Sequence, residues 1–487
     1  MKTGDLLDAA SAQVIGFEWL AKSVAPVSPY GERAFCELLP FPPGEEVAAR
    51  ERAQTIAAVA AALDAERLDA IRAALAQLPD AAGAVARASM GDLLDDPQFL
   101  ELQRFCATVE HVDGLLAPWT QREPITNDGV RAAAAALARG SRNQLGFYLA
   151  DAFDDELKRA REQLERAQAE LDSARGRERE GAARALQRDE IAGDEFIVMR
   201  DDVAGALPAG IRVLRESPTY RLCSLEYGEA SLAALERRDA AASAAGEAEE
   251  RVRARLSAIV RDRAAALEDA AAAIGRLDVT LAAAHFAQRY DCAPAAIDAA
   301  PALAFVRARF LPLEAELNAA GRRFVPLDLE LCDTAVLTGP NMGGKSVCLQ
   351  TCGFVALCAA FGLPVPAANA RTALFDQIAW LGLGREAQSG GLLSSFAREV
   401  IDLKAILARN SSRLLILADE FARTTTPHEG RALLIALLGR LRERGACGMA
   451  ATHLAGIPPA AGVRHFAVRG LRGIPETPPT REIGEAL

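Results

Sequence analysis

Apolar residues recur along this chain with different periods, and each period keeps to its own stretch. In residues 47–78 they fall three and four apart with no internal glycine or proline, which predicts helix. Residues 92–116 repeat the pattern, with a helix start expected near Asp96 and Pro97. Ahead of both, the proline-containing stretch APVSPYGERAF (25–35) reads as an entry loop. From 155 the period becomes seven. Leu157, Leu164 and Leu171 repeat, Ala160, Ala167 and Ala174 follow three residues behind, and charges fill most other positions. That pattern predicts a short coiled-coil seam of small residues. A return helix is expected at 247–275, with Val252, Leu256, Ile259, Leu267 and Ile274 on one stripe. Between the two, 195–200, 210–215 and 220–225 read as strands separated by proline and glycine. The expectation is an antiparallel helical arm with a small β tip, its outgoing helix of about 35 residues reaching roughly 50 Å.

Residues 276–325 read as helices followed by a loop rich in proline and arginine. Beyond about 327 the pattern changes again. Short, continuously apolar runs at 334–338, 413–420 and 447–453 alternate with helical segments, which predicts a largely parallel sheet buried on both faces. The chain thus divides into an all-α region (1–154), the arm (155–275), a return of the helical region (276–325) and an α/β domain (326–487).

Composition narrows the picture. A chain of 487 residues exceeds what one core organises. It has no uninterrupted apolar run of about 18 residues, so no membrane span is expected. The acids Asp5 and Asp8 near the start argue against a signal peptide, and a cytoplasmic location is expected. The nine cysteines form no C-x-x-C pair, and Cys348, Cys352 and Cys358 share one predicted helix, as buried thiols in a reducing compartment do. The net charge of −11 argues against an extended duplex-binding face.

The chemistry concentrates in the last third. In TGPNMGGKS, Gly339, Gly344, Lys345 and Ser346 have the spacing of a phosphate-binding loop, between a predicted strand and a predicted helix. Backbone N–H groups and a helix N-terminus would converge there on phosphate oxygens. Lys345 would neutralise the β- and γ-phosphates and the Ser346 hydroxyl would ligate Mg²⁺. In LLILADEF an apolar strand delivers Asp419, suited to Mg²⁺, and Glu420, suited to orienting or deprotonating a water. Two serines open a helix in GGLLSSFAREV, as caps, as phosphate ligands or as both. His453 ends a core strand, either as a structural residue or as a sensor of the γ-phosphate.

The set TGPNMGGKS, LLSSFAREV, LLILADEFART and ATH, in that order, resembles the ATPase domain of the MutS family of DNA mismatch repair. VSPYGERAF, LDVTLAAAHFAQRYDCAPAAID and RRFVPLDLEL resemble the family's helical core and its entry to the ATPase. The resemblance implies an ABC-type P-loop ATPase preceded by a core and lever domain with a coiled-coil clamp arm. It implies Mg²⁺-dependent ATP binding by Gly339, Pro340, Asn341, Met342, Gly343, Gly344, Lys345 and Ser346, with Asp419 serving the metal and Glu420 hydrolysis. Phe324 would stack on adenine, His453 would be the switch histidine, and Ser394 would reach the γ-phosphate of a partner subunit. Two such composite sites require a homodimer or a heterodimer with a related subunit.

The sequence also departs from the family. It begins at the core, as a short form without the mismatch-reading and connector domains would. Ala422 and Thr424 stand where the family usually has glycines flanking the arginine, here Arg423. Across 194–226, four arginines (200, 212, 215, 221) face six acids (194, 195, 201, 202, 216, 226), so the clamp is not basic. Two clients are therefore expected as alternatives. One is DNA. The other is a protein, since MutS-like chains of this outline are associated with reactivating adenosylcobalamin-dependent aminomutases.

Overall fold

The computed structural model describes all residues except 121, 123, 140–145, 204, 301, 341–342, 383–394, 410, 412, 455–456, 458–462 and 469–487. Its contacts gather into two units. One comprises Pro79–Ala107 and Thr126–Asp269, and the other comprises Met1–Leu78, Thr108–Ile125 and Ala270–Leu487.

In the first unit two long helices, Asp155–Ala185 and Glu229–Arg261, pack along one another. The seven-residue pattern is the buried seam: Leu157, Leu171, Ala160, Ala167 and Ala174 are all buried, as are Val252 and Leu256 opposite. Small residues let the helices approach closely, and charges flank the seam. Arg161 pairs with Glu249, and Arg255 with Asp154, the residue that caps the first helix. The return helix begins at Glu229 rather than 247 and is interrupted at Asp262, with a new helix running Ala264–Arg289. The alanine-rich stretch 230–245 carries too little contrast between apolar and polar positions for periodicity to flag it, although alanine is the strongest helix former.

Between the helices lie β1 (Glu195–Met199), β2 (Ile211–Glu216) and β3 (Tyr220–Leu225), an antiparallel sheet of order β1-β3-β2. Val198, Cys223 and Leu225 are buried against Ala182, Ala183 and Leu186 of the first helix. Residues that alternate with these remain exposed, Ile197 and Met199 among them. Arg175, only 5% exposed, ties the base of this sheet. It pairs with Glu178 and Asp194, donates to the carbonyls of Leu225 and Glu226, and lies over the Tyr227 ring.

The second unit holds two further sheets. Four strands, β4 (Ala296–Asp298), β5 (Leu303–Ala308), β6 (Leu327–Leu331) and β8 (Asn369–Ala373), form a mixed sheet of order β4-β8-β5-β6. The first two fall in the stretch expected to be helix and loop. Pro294 breaks the alanine-rich run there, and the inward residues Leu303 and Phe305 then alternate as in a strand. Five strands, β7 (Thr334–Thr338), β9 (Gln377–Gly382), β10 (Leu414–Asp419), β11 (Cys447–Thr452) and β12 (Arg464–Ala467), form the other sheet, of order β12-β7-β11-β10-β9. Every pairing in it is parallel, so the expected parallel sheet is present. One face packs on the helix Pro427–Glu443 through Leu434, Leu437, Leu438 and Leu441. The helix Lys345–Ala360 is buried almost all round, in contact with β9, β10 and β11 on one side and β5 and β8 on the other. Its Cys348, Cys352 and Cys358 are buried, as their shared helix suggests.

The N-terminal segment covers the edge of β9. Ile378 N–H donates to the Leu6 carbonyl at 2.8 Å and Trp380 N–H to the buried Ser11 hydroxyl at 2.9 Å, so this edge offers no template for another strand.

Two of the stretches singled out from sequence meet in this unit. Ser28 caps the helix Pro29–Cys36, and the fully buried Asp278 accepts the N–H groups of Ser28 at 2.7 Å and Val27 at 3.1 Å. Burial pushes this carboxyl up, while the hydrogen bonds from Ser28 and Val27 oppose that shift. Gly31 is required here by space, because a Cβ on it would lie 2.2 Å from Asp278 Oδ2. Gly31→Ala is therefore expected to cost about 3 kcal/mol, at the upper end for overpacking. Chemical denaturation followed by circular dichroism measures it, and an unchanged midpoint would show that the carboxylate moves aside freely.

Candidate functional site

Parallel pairing brings three loops to one edge of the five-stranded sheet. Thr338 of β7 stands beside Thr452 of β11, and Ala451 stands beside Asp419 of β10. The residues that follow these strand ends, from Gly339, Glu420 and His453 onward, therefore leave the sheet together. Ligand sites of α/β sheets form at this carboxyl edge.

After β7 the chain makes the glycine-rich turn and enters the helix at Lys345. Gly344 is its N-cap, with φ +91°, a left-handed conformation that glycine adopts without a Cβ penalty. The Lys345 side chain is only 5% exposed and folds back over the turn, donating to the carbonyls of Gly339 and Pro340 at 3.1 Å each. Gly343 N–H also returns to the Pro340 carbonyl, at 3.2 Å. Of the residues expected in this turn, Asn341 and Met342 lie outside the described residues, as does Ser394.

Asp419, at the end of β10, is 2% exposed and lies near the Ser346 hydroxyl, which favours its charged form. Its Oδ1 is buried without a hydrogen-bond partner among the described residues. Burial is the main influence pushing its carboxyl up, and the adjacent Glu420 adds to it, while Ser346, Lys345 and Arg423 act the other way. A buried carboxylate oxygen with no donor, beside a serine hydroxyl, is an all-oxygen donor set that suits a hard cation such as Mg²⁺.

Glu420 gathers the charged groups. Its carboxylate lies 3.9 Å from Lys345 Nζ, 3.7 Å from His453 Nδ1 and 3.9 Å from Arg423 Nη1. The backbone there is unusual: Glu420 has φ +51° and Ala422 φ +61°, two non-glycine residues in the left-handed region within one turn. Each costs on the order of 1 kcal/mol, so the surroundings must hold them. Glu420 N–H donates to the Ala451 carbonyl at 3.0 Å, and Ala422 N–H donates to Glu399 Oε2 at 2.8 Å.

The structure thus brings Lys345, Ser346, Asp419, Glu420 and His453 to one place. Phe324 is half-buried in the stretch leading into β6, a strand of the other sheet. The threonine run after Arg423 has a structural role: Thr426 caps the helix Pro427–Glu443, and Thr425 and Thr426 both donate to Glu429. The sequence pattern T-x-x-E announces that capping box. Two contacts at this edge went unforeseen: Glu399 on Ala422 N–H, and His465 Nε2 at 2.9 Å from the Thr338 hydroxyl. A carboxylate within the apolar stripe of helix 395–408 was the available signal for the first.

Comparison with known proteins matches residues 335–467 to MutS domain V. The chain is 36% identical over 184 residues to a protein named Endonuclease MutS2 from Geobacillus kaustophilus (strain HTA426), covering 37% of this chain and 23% of that protein. It is 35% identical over 208 residues to the Endonuclease MutS2 of Symbiobacterium thermophilum, covering 42% and 25%. It is 35% identical over 204 residues to that of Streptococcus gordonii, covering 42% and 26%. The matches thus span about a quarter of the length of these curated relatives.

Proposed function

We propose that this chain, which belongs to the MutS family through its C-terminal domain, binds ATP with Mg²⁺ and hydrolyses it as a dimer acting on DNA. The convergence of Lys345, Ser346, Asp419 and Glu420 at the carboxyl edge of a parallel sheet carries this reading. Backbone N–H groups of 339–346 and the start of the helix Lys345–Ala360 receive the phosphates. Lys345 leaves its two loop carbonyls for phosphate oxygens, a stronger, charge-assisted partnership. Ser346 and Asp419 hold Mg²⁺, which neutralises charge on the β- and γ-phosphates. Glu420 accepts a proton from the attacking water, with His453 beside it to register the γ-phosphate. Phe324 stacks on the adenine. Ser394 of one subunit reaches the γ-phosphate held by the other, so nucleotide becomes part of the subunit interface.

This assignment makes Asp419 a residue kept for function at a cost to stability. Asp419→Asn is expected to raise the stability of the nucleotide-free protein by about 1 kcal/mol, because the unmatched buried charge is gone. Mg²⁺-dependent turnover should fall at least about 100-fold. Thermal melts and a phosphate-release assay read the two effects, and unchanged turnover would remove Asp419 from the metal site.

A second reading, a protein client such as an adenosylcobalamin-dependent aminomutase, draws support from the β1–β3 sheet. Two of its arginines, Arg200 and Arg221, are both committed to Glu216, while Ile197, Met199, Val213 and Leu214 are exposed. Hydrolysis measured with duplex DNA, branched DNA and an aminomutase, over a range of salt, separates the two. DNA stimulation with a steep salt dependence supports the first reading. Stimulation by the enzyme alone supports the second.

A further inference from the structure

We infer that Glu399 is a positioning residue for hydrolysis: its carboxylate holds the left-handed turn that aims Glu420. The inference rests on the reading that Glu420 acts on the attacking water. Helix Ser395–Ala408 sits on the core around the end of β10 through Phe396, Leu403, Ile406 and Leu407. Glu399 is three residues after Phe396 and four before Leu403, so it belongs to the same stripe. It is half-buried, on the one face of the helix where a carboxylate is out of place.

What it meets there is the N–H of Ala422, at 2.8 Å. Phe421, between the two left-handed residues, is 2% exposed and packed in the same core cluster. The turn is therefore pinned at both ends. The Glu420 N–H is held by β11, through the Ala451 carbonyl at 3.0 Å. The Ala422 N–H is held by Glu399, from a helix outside the sheet. With alanine at 422, the left-handed state needs that support more than glycine would. If the support is removed, residue 422 can relax to ordinary helical or extended backbone, and the direction of the Glu420 side chain two residues earlier changes with it.

A purely structural role would also satisfy a buried N–H, so the test must separate the two. Glu399→Met keeps volume and suits the apolar stripe but cannot accept the hydrogen bond, whereas Glu399→Gln keeps an acceptor oxygen. Single-turnover hydrolysis and ATP affinity are measured for both, for Glu420→Gln, and for Glu399→Met combined with Glu420→Gln. The expected result is a fall of about 10-fold to 100-fold in the hydrolysis rate for Glu399→Met, the worth of one hydrogen bond to a charged acceptor. ATP affinity should stay within about twofold, and Glu399→Gln should recover most of the rate. In the Glu420→Gln background, Glu399→Met should slow hydrolysis no further, because it acts through Glu420. A wild-type rate in Glu399→Met, or the same fractional loss in both backgrounds, overturns the inference. A wild-type rate in Glu420→Gln overturns the underlying reading instead. If Glu399→Met does not fold, Glu399→Leu, which likewise suits the apolar stripe and cannot accept the hydrogen bond, takes its place with the same deciding outcomes.

Discussion

Lys345→Ala abolishes nucleotide binding: ATP affinity is expected to fall at least about 100-fold, and turnover to be lost with it. Lys345 is a nearly fully buried ammonium at the head of the helix, and among the described residues its partners are two loop carbonyls and the more distant Glu420. Such a group is held in readiness for an anion. Its hydrogen bonds to charged phosphate oxygens are each worth roughly 1.5–3 kcal/mol, so losing two of them gives on the order of a 10²-fold to 10⁴-fold change in Kd. The fold should survive, because the helix is anchored by its buried face and not by the lysine. Calorimetric titration with ATP and Mg²⁺, alongside a thermal melt, makes the measurement. A variant that melts normally and binds ATP like the wild type would show that the glycine-rich turn is a structural turn and nothing more.

What the sequence discloses and what it hides follows a physical division. Strands β7, β10 and β11 are short apolar runs that end in punctuating residues, and the runs coincide with the strands to within a residue at each end. Buried strands of a parallel sheet need no alternation, so such a run is their full signature. β9 is just as buried, yet QIAWLG opens with a polar residue and follows no helix of its own. β4 and β5 were hidden by alanine, whose size suits both helix and strand. The long helices were legible through leucine spacing, whereas the start of the second was not, because an alanine-rich surface carries no period. The predicted helix over 47–78 is two helices, Glu46–Ala62 and Ala65–Ala76, since Asp64 caps the second and breaks the ladder.

The candidate site shows the same split. Lys345, Ser346, Asp419 and Glu420 were identifiable because their spacing to glycines and to an apolar strand is a local pattern. The backbone of Glu420 and Ala422 was not. Nothing in ADEFART announces left-handed conformations for a glutamate and an alanine, and the Glu399 and Ala451 contacts to that turn are made by residues about 20 to 30 positions away.

Glu420→Gln separates binding from chemistry. The substitution preserves volume and leaves the backbone bond to Ala451 untouched, so the left-handed turn should persist. Lys345 loses an anionic neighbour at 3.9 Å, which favours its transfer to phosphate, so ATP affinity should be unchanged or slightly stronger. The amide cannot take a proton. Loss of a general base lowers rates by roughly 10²-fold to 10⁴-fold, and hydrolysis should fall by that amount at unchanged KM. ATP that persists also holds the subunits together if nucleotide forms part of the interface, so the variant should remain dimeric in ATP and Mg²⁺ where the wild type returns to its nucleotide-free state. Rapid-quench hydrolysis and light scattering after size exclusion read the two consequences separately. Lost turnover without a persistent dimer would keep Glu420 as the base and reject nucleotide as the subunit link. Normal turnover would assign proton acceptance to another group at this edge, and His453, 3.7 Å from Glu420, is the first to test.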